Sequence, residues 1–280
     1  MNRRSANAIF ASALVLILAL SFTAPLACAQ PSDDLREEFH QSYPLSPTGR
    51  VEVENINGDV TISPGDGNEV RVDAVKRARD SRRLSECRIV VGAHSDWVRI
   101  ETKYPEHYGL SYNNPASVEY TIRIPRTAHV SKANLVNGSL VITGIAGGVH
   151  GSAVNGSVKA TDVNAPLDLS SVNSSVDAEV GAVENDIRLH SVNGLVRLML
   201  PSDAQAEIFA STVNGSIHND FGLAVDKGRY VGSKMKARLG GGIVRVELNT
   251  VNGAIELRHA NDGKPLTKAT EEPEPSGEPL

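Results

Sequence analysis

Cysteine, excess positive charge and the signatures of catalysis are all scarce in this sequence. The two cysteines are Cys28 and Cys87, and Cys28 lies in an amino-terminal segment with the features of an export signal. A chain cleaved after Ala29 keeps one thiol and forms no internal disulfide, so its stability must come from a β-core. Cys87 then reads as a small buried apolar residue. Lys and Arg number 28 against 33 Asp and Glu, a net charge of −5. Removing Arg3 and Arg4 with the signal leaves 26 against 33, or −7, which argues against a nucleic-acid partner. The one apolar run, Ala8 to Leu20, is short for a membrane span, and Pro25 interrupts its end.

Catalytic patterns are missing as well. There is no Gly-x-Ser-x-Gly elbow, phosphate-binding loop or dinucleotide fingerprint. Asp162, Asp168, Asp177, Glu179 and Asp186 stack into no carboxylate pair of the kind glycosidases use. His150, His190 and His218 occupy three different repeat positions, which argues against a shared metal site. The reading is therefore no catalytic residues, no metal and no cofactor.

What the chain does have is a recurring phrase. It appears as Val136-Asn137-Gly138, Val154-Asn155-Gly156, Val172-Asn173-Ser174, Val192-Asn193-Gly194, Val213-Asn214-Gly215 and Val251-Asn252-Gly253. The Asn-to-Asn steps are 18, 18, 20, 21 and 38 residues, and a fixed period near 20 marks a repeat architecture. The long step reads as two periods, with Val231-Gly232-Ser233-Lys234-Met235 as a degenerate copy inside it. An outlying copy at Ile56-Asn57-Gly58 stands 80 residues before Asn137, which reads as four further periods.

Apolar residues alternate on both sides of each phrase, as Leu140 and Ile142, Leu167 and Leu169, or Val196 and Leu198. That is the period of half-buried strands. Asn and Gly tolerate positive φ, so Asn-Gly reads as a tight corner between two strands. Two folds fit. A hairpin meander would pair neighbouring strands antiparallel through type I′ turns. A parallel β-solenoid would stack like residues over like, one coil per repeat, with corner amides bonding in a ladder. The all-β class with roughly 20-residue solenoid coils is the preferred reading.

The chain divides accordingly. Residues 1–29 read as a signal peptide with a cleavage site at Ala27-Cys28-Ala29; alternatively, Leu26-Ala27-Cys28 is a lipobox and Cys28 carries a lipid. Residues 30–48 read as a linker, 49–130 as an N-terminal β region capping the stack, 131–259 as the Asn-Gly repeat solenoid and 260–280 as a disordered tail. Lys76 to Glu86 is rich in Lys and Arg and reads as a connector able to form a short helix. The one stretch resembling a binding loop runs from Tyr104 to Pro115, where Tyr104, His107, Tyr108 and Tyr112 gather. These residues either stack on a sugar ring or fold over the core as a lid.

The Asn-Gly phrases, with Val51-Glu52-Val53-Glu54-Asn55-Ile56-Asn57-Gly58-Asp59-Val60-Thr61-Ile62 and Arg123-Ile124-Pro125 ahead of them, resemble a bacterial family of β-strand-repeat proteins named as adhesins. The resemblance covers about Gly49 to His259. It implies a superhelix like that of pectin lyases without the catalytic residues. The expectation is a non-enzymatic exported envelope or surface protein, periplasmic or secreted, acting as an adhesion or scaffolding module. Its partner would be a glycan or an envelope protein, with a membrane reached only through a lipid at Cys28. The alternatives are a periplasmic regulatory or sensory partner and a carbohydrate-active β-helix enzyme.

Overall fold

The computed structural model describes residues 34–105, 116–228 and 231–270. The strands in order are β1 (Leu35–Pro44), β2 (Arg50–Asn57), β3 (Val60–Pro64) and β4 (Glu69–Ala78), followed by the helix α1 (Ser81–Glu86). Next come β5 (Arg88–His94), β6 (Trp97–Lys103), β7 (Ser117–Ile124), β8 (His129–Asn137) and β9 (Leu140–Thr143). The middle holds β10 (Val149–Asn155), β11 (Val158–Thr161), β12 (Leu167–Ser171), β13 (Val176–Glu179), β14 (Ile187–Asn193) and β15 (Val196–Leu200). Last are β16 (Ala206–Asn214), β17 (Ile217–Asn219), β18 (Asp226–Lys227), β19 (Ser233–Leu239), β20 (Arg245–Asn252), β21 (Ile255–His259) and β22 (Ala269–Thr270).

These strands form an all-β protein of two large mixed sheets. The first runs β1-β4-β7-β3-β9-β11-β13-β15-β21-β17, the second β18-β19-β16-β20-β14-β12-β10-β8-β2-β6-β5. The two strands flanking each Asn corner belong to different sheets, as β8 and β9 do, which removes the hairpin meander. Within each sheet the middle strands pair in parallel with like residues aligned. Val158, Leu140 and Val176 share one inward row of the first sheet. Val149, Leu167 and Ile187 share one of the second. The inward apolar rows of both sheets are buried between them.

The sheets are not parallel throughout. At one end β1, β4 and β7 run antiparallel, as do β5 and β6. At the other, β19 runs antiparallel to β16, with β18 and β22 beside it. Paired strands of this kind cover ladder edges that would otherwise be open.

The structure corrects several expectations. Residues 35–44 of the expected linker form β1, paired with β4 from Leu35↔Ala78 to Pro44↔Glu69. Only Phe39 and Tyr43 pack partly against the core; they lie on one face of the strand, so the apolar signal is diluted. The expected tail starts too early: the Thr267 amide donates to the Ser202 carbonyl at 2.8 Å, and Ala269 and Thr270 pair with β19. Residues 271–280 lie outside the described residues. The copy at Asn57 is not four periods away, since Asn57 pairs directly with Asn137 and the intervening residues build the antiparallel end. Nor does the 38-residue step hold an extra coil. Val231 to Met235 leads into antiparallel β19, and β20 inserts between β14 and β16. The connector begins as strand: Lys76 lies in β4, bonded to Glu37 Oε1 at 2.6 Å and to the Cys87 carbonyl at 3.2 Å, while Asp80 caps α1.

Candidate functional site

The corners place the surface. The residue after each Asn has little room, because a Cβ on Gly156 would stand 1.9 Å from the Gly138 carbonyl oxygen and one on Gly194 2.0 Å from that of Ser174. Gly215 and Gly253 meet the same obstacle, at 1.8 and 2.0 Å. Among these corners a positive φ occurs at Gly58 and Gly138, and at no Asn among the described residues. Glycine is therefore required chiefly by close approach of stacked backbones rather than by type I′ geometry. Where Ser174 replaces glycine, the incoming strand β12 stops at Ser171, whereas β10 and β14 run through to their Asn.

Two ladders lock the corners. On the outside, each Asn amide after the first donates to the Oδ1 of the one before it in the series Asn57, Asn137, Asn155, Asn173, Asn193, Asn252 and Asn214, at 2.7–3.1 Å. On the inside, buried hydroxyls two residues earlier cap the corner carbonyls. Ser171 donates to Gly156, Ser191 to Ser174, Thr250 to Gly194 and Thr212 to Gly253.

Register then carries outward side chains of the second sheet into rows across the strands. Strand alternation puts every second residue on this face. Beside the Asn ladder lies an aliphatic ridge of Ile56, Val136, Val154, Val172, Val192, Val251 and Val213; Val136 is 40% exposed and Val213 49%. The next row holds Asn134, Ser152, Ser170, His190, Asn249 and Ser211. Ser152 Oγ donates to Asn134 Oδ1 at 2.8 Å and Ser211 Oγ to Asn249 Oδ1 at 2.7 Å. Five steps of about 4.8 Å give this row a length of roughly 24 Å. The third row is charged and paired: Arg99 with Glu52 at 2.6 Å, His150 with Asp168 at 3.4 Å, Arg188 with Glu247 at 3.6 Å. A groove of about 380 Å³ opens along the strand starts, lined among others by Arg50, His129, Gly148, Pro166, Leu167 and Arg188.

The arrangement offers hydrogen bonds and apolar contact along the face of the second sheet. Among the described residues no three His, Cys, Asp or Glu side chains gather to hold a metal. Tyr104 is half-buried; its hydroxyl donates to the Ala116 carbonyl at 2.8 Å, and it packs against the core. His107, Tyr108 and Tyr112 lie outside the described residues, as does Cys28. Cys87 is fully buried, and burial pushes its thiol pKa up. The neutral row was missed in the sequence although its signal is there. Every member stands three residues before a corner Asn.

No family model matches the chain, and no curated protein matches it. Solved structures do. A proposed cell adhesion protein from Clostridium sporogenes is similar at 14% identity, over 81% of this chain and 100% of that one, with a TM-score of 0.50. A proposed adhesin from Bacteroides fragilis is 10% identical over 80% and 97% of the two chains, at a TM-score of 0.36. A proposed lipid binding protein from Parabacteroides distasonis is 13% identical over 79% and 96%, at 0.33. The first likeness is one of fold; the other two carry no argument.

Proposed function

We propose that this chain is an exported, non-enzymatic surface protein, built as a β-solenoid, whose outer face binds an extended glycan. The signal at 1–29 supplies export, and 49–130 caps the stack. The observation that carries the binding reading is the neutral row from Asn134 to Ser211 beside the Val ridge. Amides and hydroxyls in a line match the hydroxyls of a linear saccharide, and the aliphatic ridge suits the apolar faces of its rings. A rigid stack holds both without ordering cost on binding. The adhesion role proposed for the Clostridium sporogenes protein agrees with this reading.

The test is titration calorimetry with linear neutral hexasaccharides of the cello-, xylo- and chito- series, comparing wild type with Ser170→Trp. The indole would stand in the middle of the row on a half-buried outward position and leave the inward core untouched. Binding of at least one hexasaccharide, weakened tenfold or more by the substitution, supports the reading. Equal affinity of the two proteins, or no binding to any hexasaccharide or acidic counterpart, removes it.

A further inference from the structure

The second sheet has a further outward row, at the starts of its strands. β6 opens on Trp97; register places Trp97 beside Arg50 of β2, and Arg50 beside His129 of β8. Gly148 and Pro166 continue the row, each one residue before the aligned pairs Val149↔Val130 and Val149↔Leu167. From Trp97 to Pro166 there are four strand steps of about 4.8 Å, roughly 19 Å in all. The groove of about 380 Å³ adjoins Trp97, since Arg50, His129, Gly148 and Pro166 all line it.

Trp97 is the chain's single tryptophan, a residue type that folding usually buries. Here it stays 39% exposed, while Val98 and Ile100 of the same strand are buried completely. The core therefore makes little use of it. Its ring lies across Gly92 of the neighbouring β5, where a Cβ would stand 3.1 Å from Trp97 Cζ3. Gly92 has no positive φ, so glycine at that position seats the indole rather than bending the backbone. The His94 ring lies alongside, its centroid 6.4 Å from that of Trp97 and its plane within 18°. Gly148 is likewise not demanded by the backbone. It has no positive φ, and a Cβ on it would meet nothing closer than His129 Nδ1 at 3.4 Å. A larger side chain there would suit the fold and fill the groove.

The polar groups beside the indole are oriented. His129 Nδ1 accepts from the Gly148 amide at 2.9 Å. A ring nitrogen that accepts carries no hydrogen, so Nε2 holds the hydrogen and donates. Arg50 adds the N–H donors of its guanidinium. Asp168 and Asp186 line the groove as well, paired with His150 at 3.4 Å and Arg188 at 3.3 Å. Donors and acceptors are thus both present, which suits hydroxyl groups.

We infer that Trp97 and the groove beyond Arg50 form a saccharide subsite separate from the neutral row. One pyranose ring stacks its C–H face on the exposed indole, and the next sets its hydroxyls against Arg50, His129 Nε2 and the paired carboxylates. The subsite shares the ligand class of the reading above and none of its residues. Gly148 and Ser152, like Pro166 and Ser170, stand four residues apart on one strand, or about 13 Å, so row and subsite hold separate stretches of glycan.

Tryptophan emission tests this, because a single indole makes the signal specific to the subsite. Wild type is titrated with the neutral cello-, xylo- and chito-hexasaccharides. Affinities are also read by calorimetry for Trp97→Ala, Trp97→Phe, Gly148→Leu and Ser170→Trp. The expected result is a saturable shift of Trp97 emission to shorter wavelength with at least one hexasaccharide. Trp97→Ala should weaken its binding about tenfold or more, as loss of an aromatic anchor does. Trp97→Phe, which keeps a ring face, should restore part of the affinity. Gly148→Leu should weaken binding at an unchanged melting temperature, and it decides the matter if Trp97→Ala lowers that temperature. No emission change in any titration overturns the inference, as does an affinity unchanged by Trp97→Ala or by Gly148→Leu. Binding that Ser170→Trp weakens and Trp97→Ala does not leaves the glycan reading standing and removes only this subsite. Binding that needs Trp97 but ignores Ser170→Trp keeps the subsite and removes the row.

Discussion

Substituting Gly156 with Ala is the sharpest test of the stacked corner. The added Cβ would stand 1.9 Å from the Gly138 carbonyl oxygen, against a close carbon–oxygen contact of about 3.3 Å. Restoring that contact needs a local separation of about 1.4 Å between layers that normally lie about 4.8 Å apart. Four hydrogen bonds span the gap or share the corner: Gly138 amide to Asn155 carbonyl at 3.3 Å, Ser171 hydroxyl to Gly156 carbonyl at 3.0 Å, and the two amide links of Asn155 at 2.8 Å. At about 0.5–1.5 kcal/mol each, their loss costs about 2–6 kcal/mol. The lower end applies if the corner relaxes as it does around Ser174. For a chain of this size that corresponds to a fall in melting temperature of about 5–20 °C. Gly181→Ala is the control, because its Cβ meets nothing closer than Asn164 Oδ1 at 3.6 Å. Thermal and urea unfolding followed by circular dichroism reads both variants. A Gly156→Ala protein within about 0.5 kcal/mol of the control would show that the glycine column is not imposed by stacking.

Other outcomes follow from the same contacts. Thr250→Val keeps the shape but removes the buried donor to the Gly194 carbonyl at 3.1 Å, and should cost about 1–3 kcal/mol in urea unfolding. Asn155→Ala breaks two links of the exposed ladder and Asn214→Ala one, so the first should destabilise more, by about 1 kcal/mol, since water replaces the lost partners. His40 should titrate above its ordinary value in an NMR pH series, because its hydrogen bond to Asp73 and then that to Glu38 favour the charged ring. A folded pKa above the unfolded one means the contribution is complete below about 6.5 and disappears as pH rises through the folded value. His40→Asn should abolish that part of the pH dependence of stability, and an unshifted resonance would contradict the Asp73 contact.

The sequence displayed the strands and corners because both depend on local chemistry. Leu140 and Ile142 alternate whichever neighbour they meet, and the phrase around Asn155 repeats because stacked layers demand the same residue at the same point. The order of layers was hidden. Parallel ladders align Asn193 with Asn252 and Asn252 with Asn214, but chain order runs 193, 214, 252, and periodicity holds no information on which like segments adjoin. The role of glycine was also misjudged. Tolerance of positive φ explains Gly58 and Gly138, whereas the clash at Gly156 depends on a carbonyl of another layer. β1 escaped notice because an edge strand needs so few apolar residues; Phe39 and Tyr43 suffice. The site was legible only in part, since a row of side chains exists in space once the register is known.

The composition of that row is not dictated by the fold. Like charges 4.8 Å apart on adjacent strands repel, so a stacked face must avoid uniform charge, and two solutions satisfy this. The row through Asp168, Arg188 and Glu247 alternates sign. Its neighbour holds Ser152, Ser170 and Asn249 at positions where alternation was equally open to it. Nor do these side chains carry the hydrogen bonds that close the corners. The buried Ser171, Ser191, Thr212 and Thr250 do that from the opposite face of the same strands. Stability therefore fixes the inward residues and leaves the outward row free. A row of polar side chains beside an exposed aliphatic ridge, with Ser152 bonded to Asn134 and Ser211 to Asn249, is therefore set by something other than the closure of the corners, and that is the surface on which the glycan reading proposed above rests.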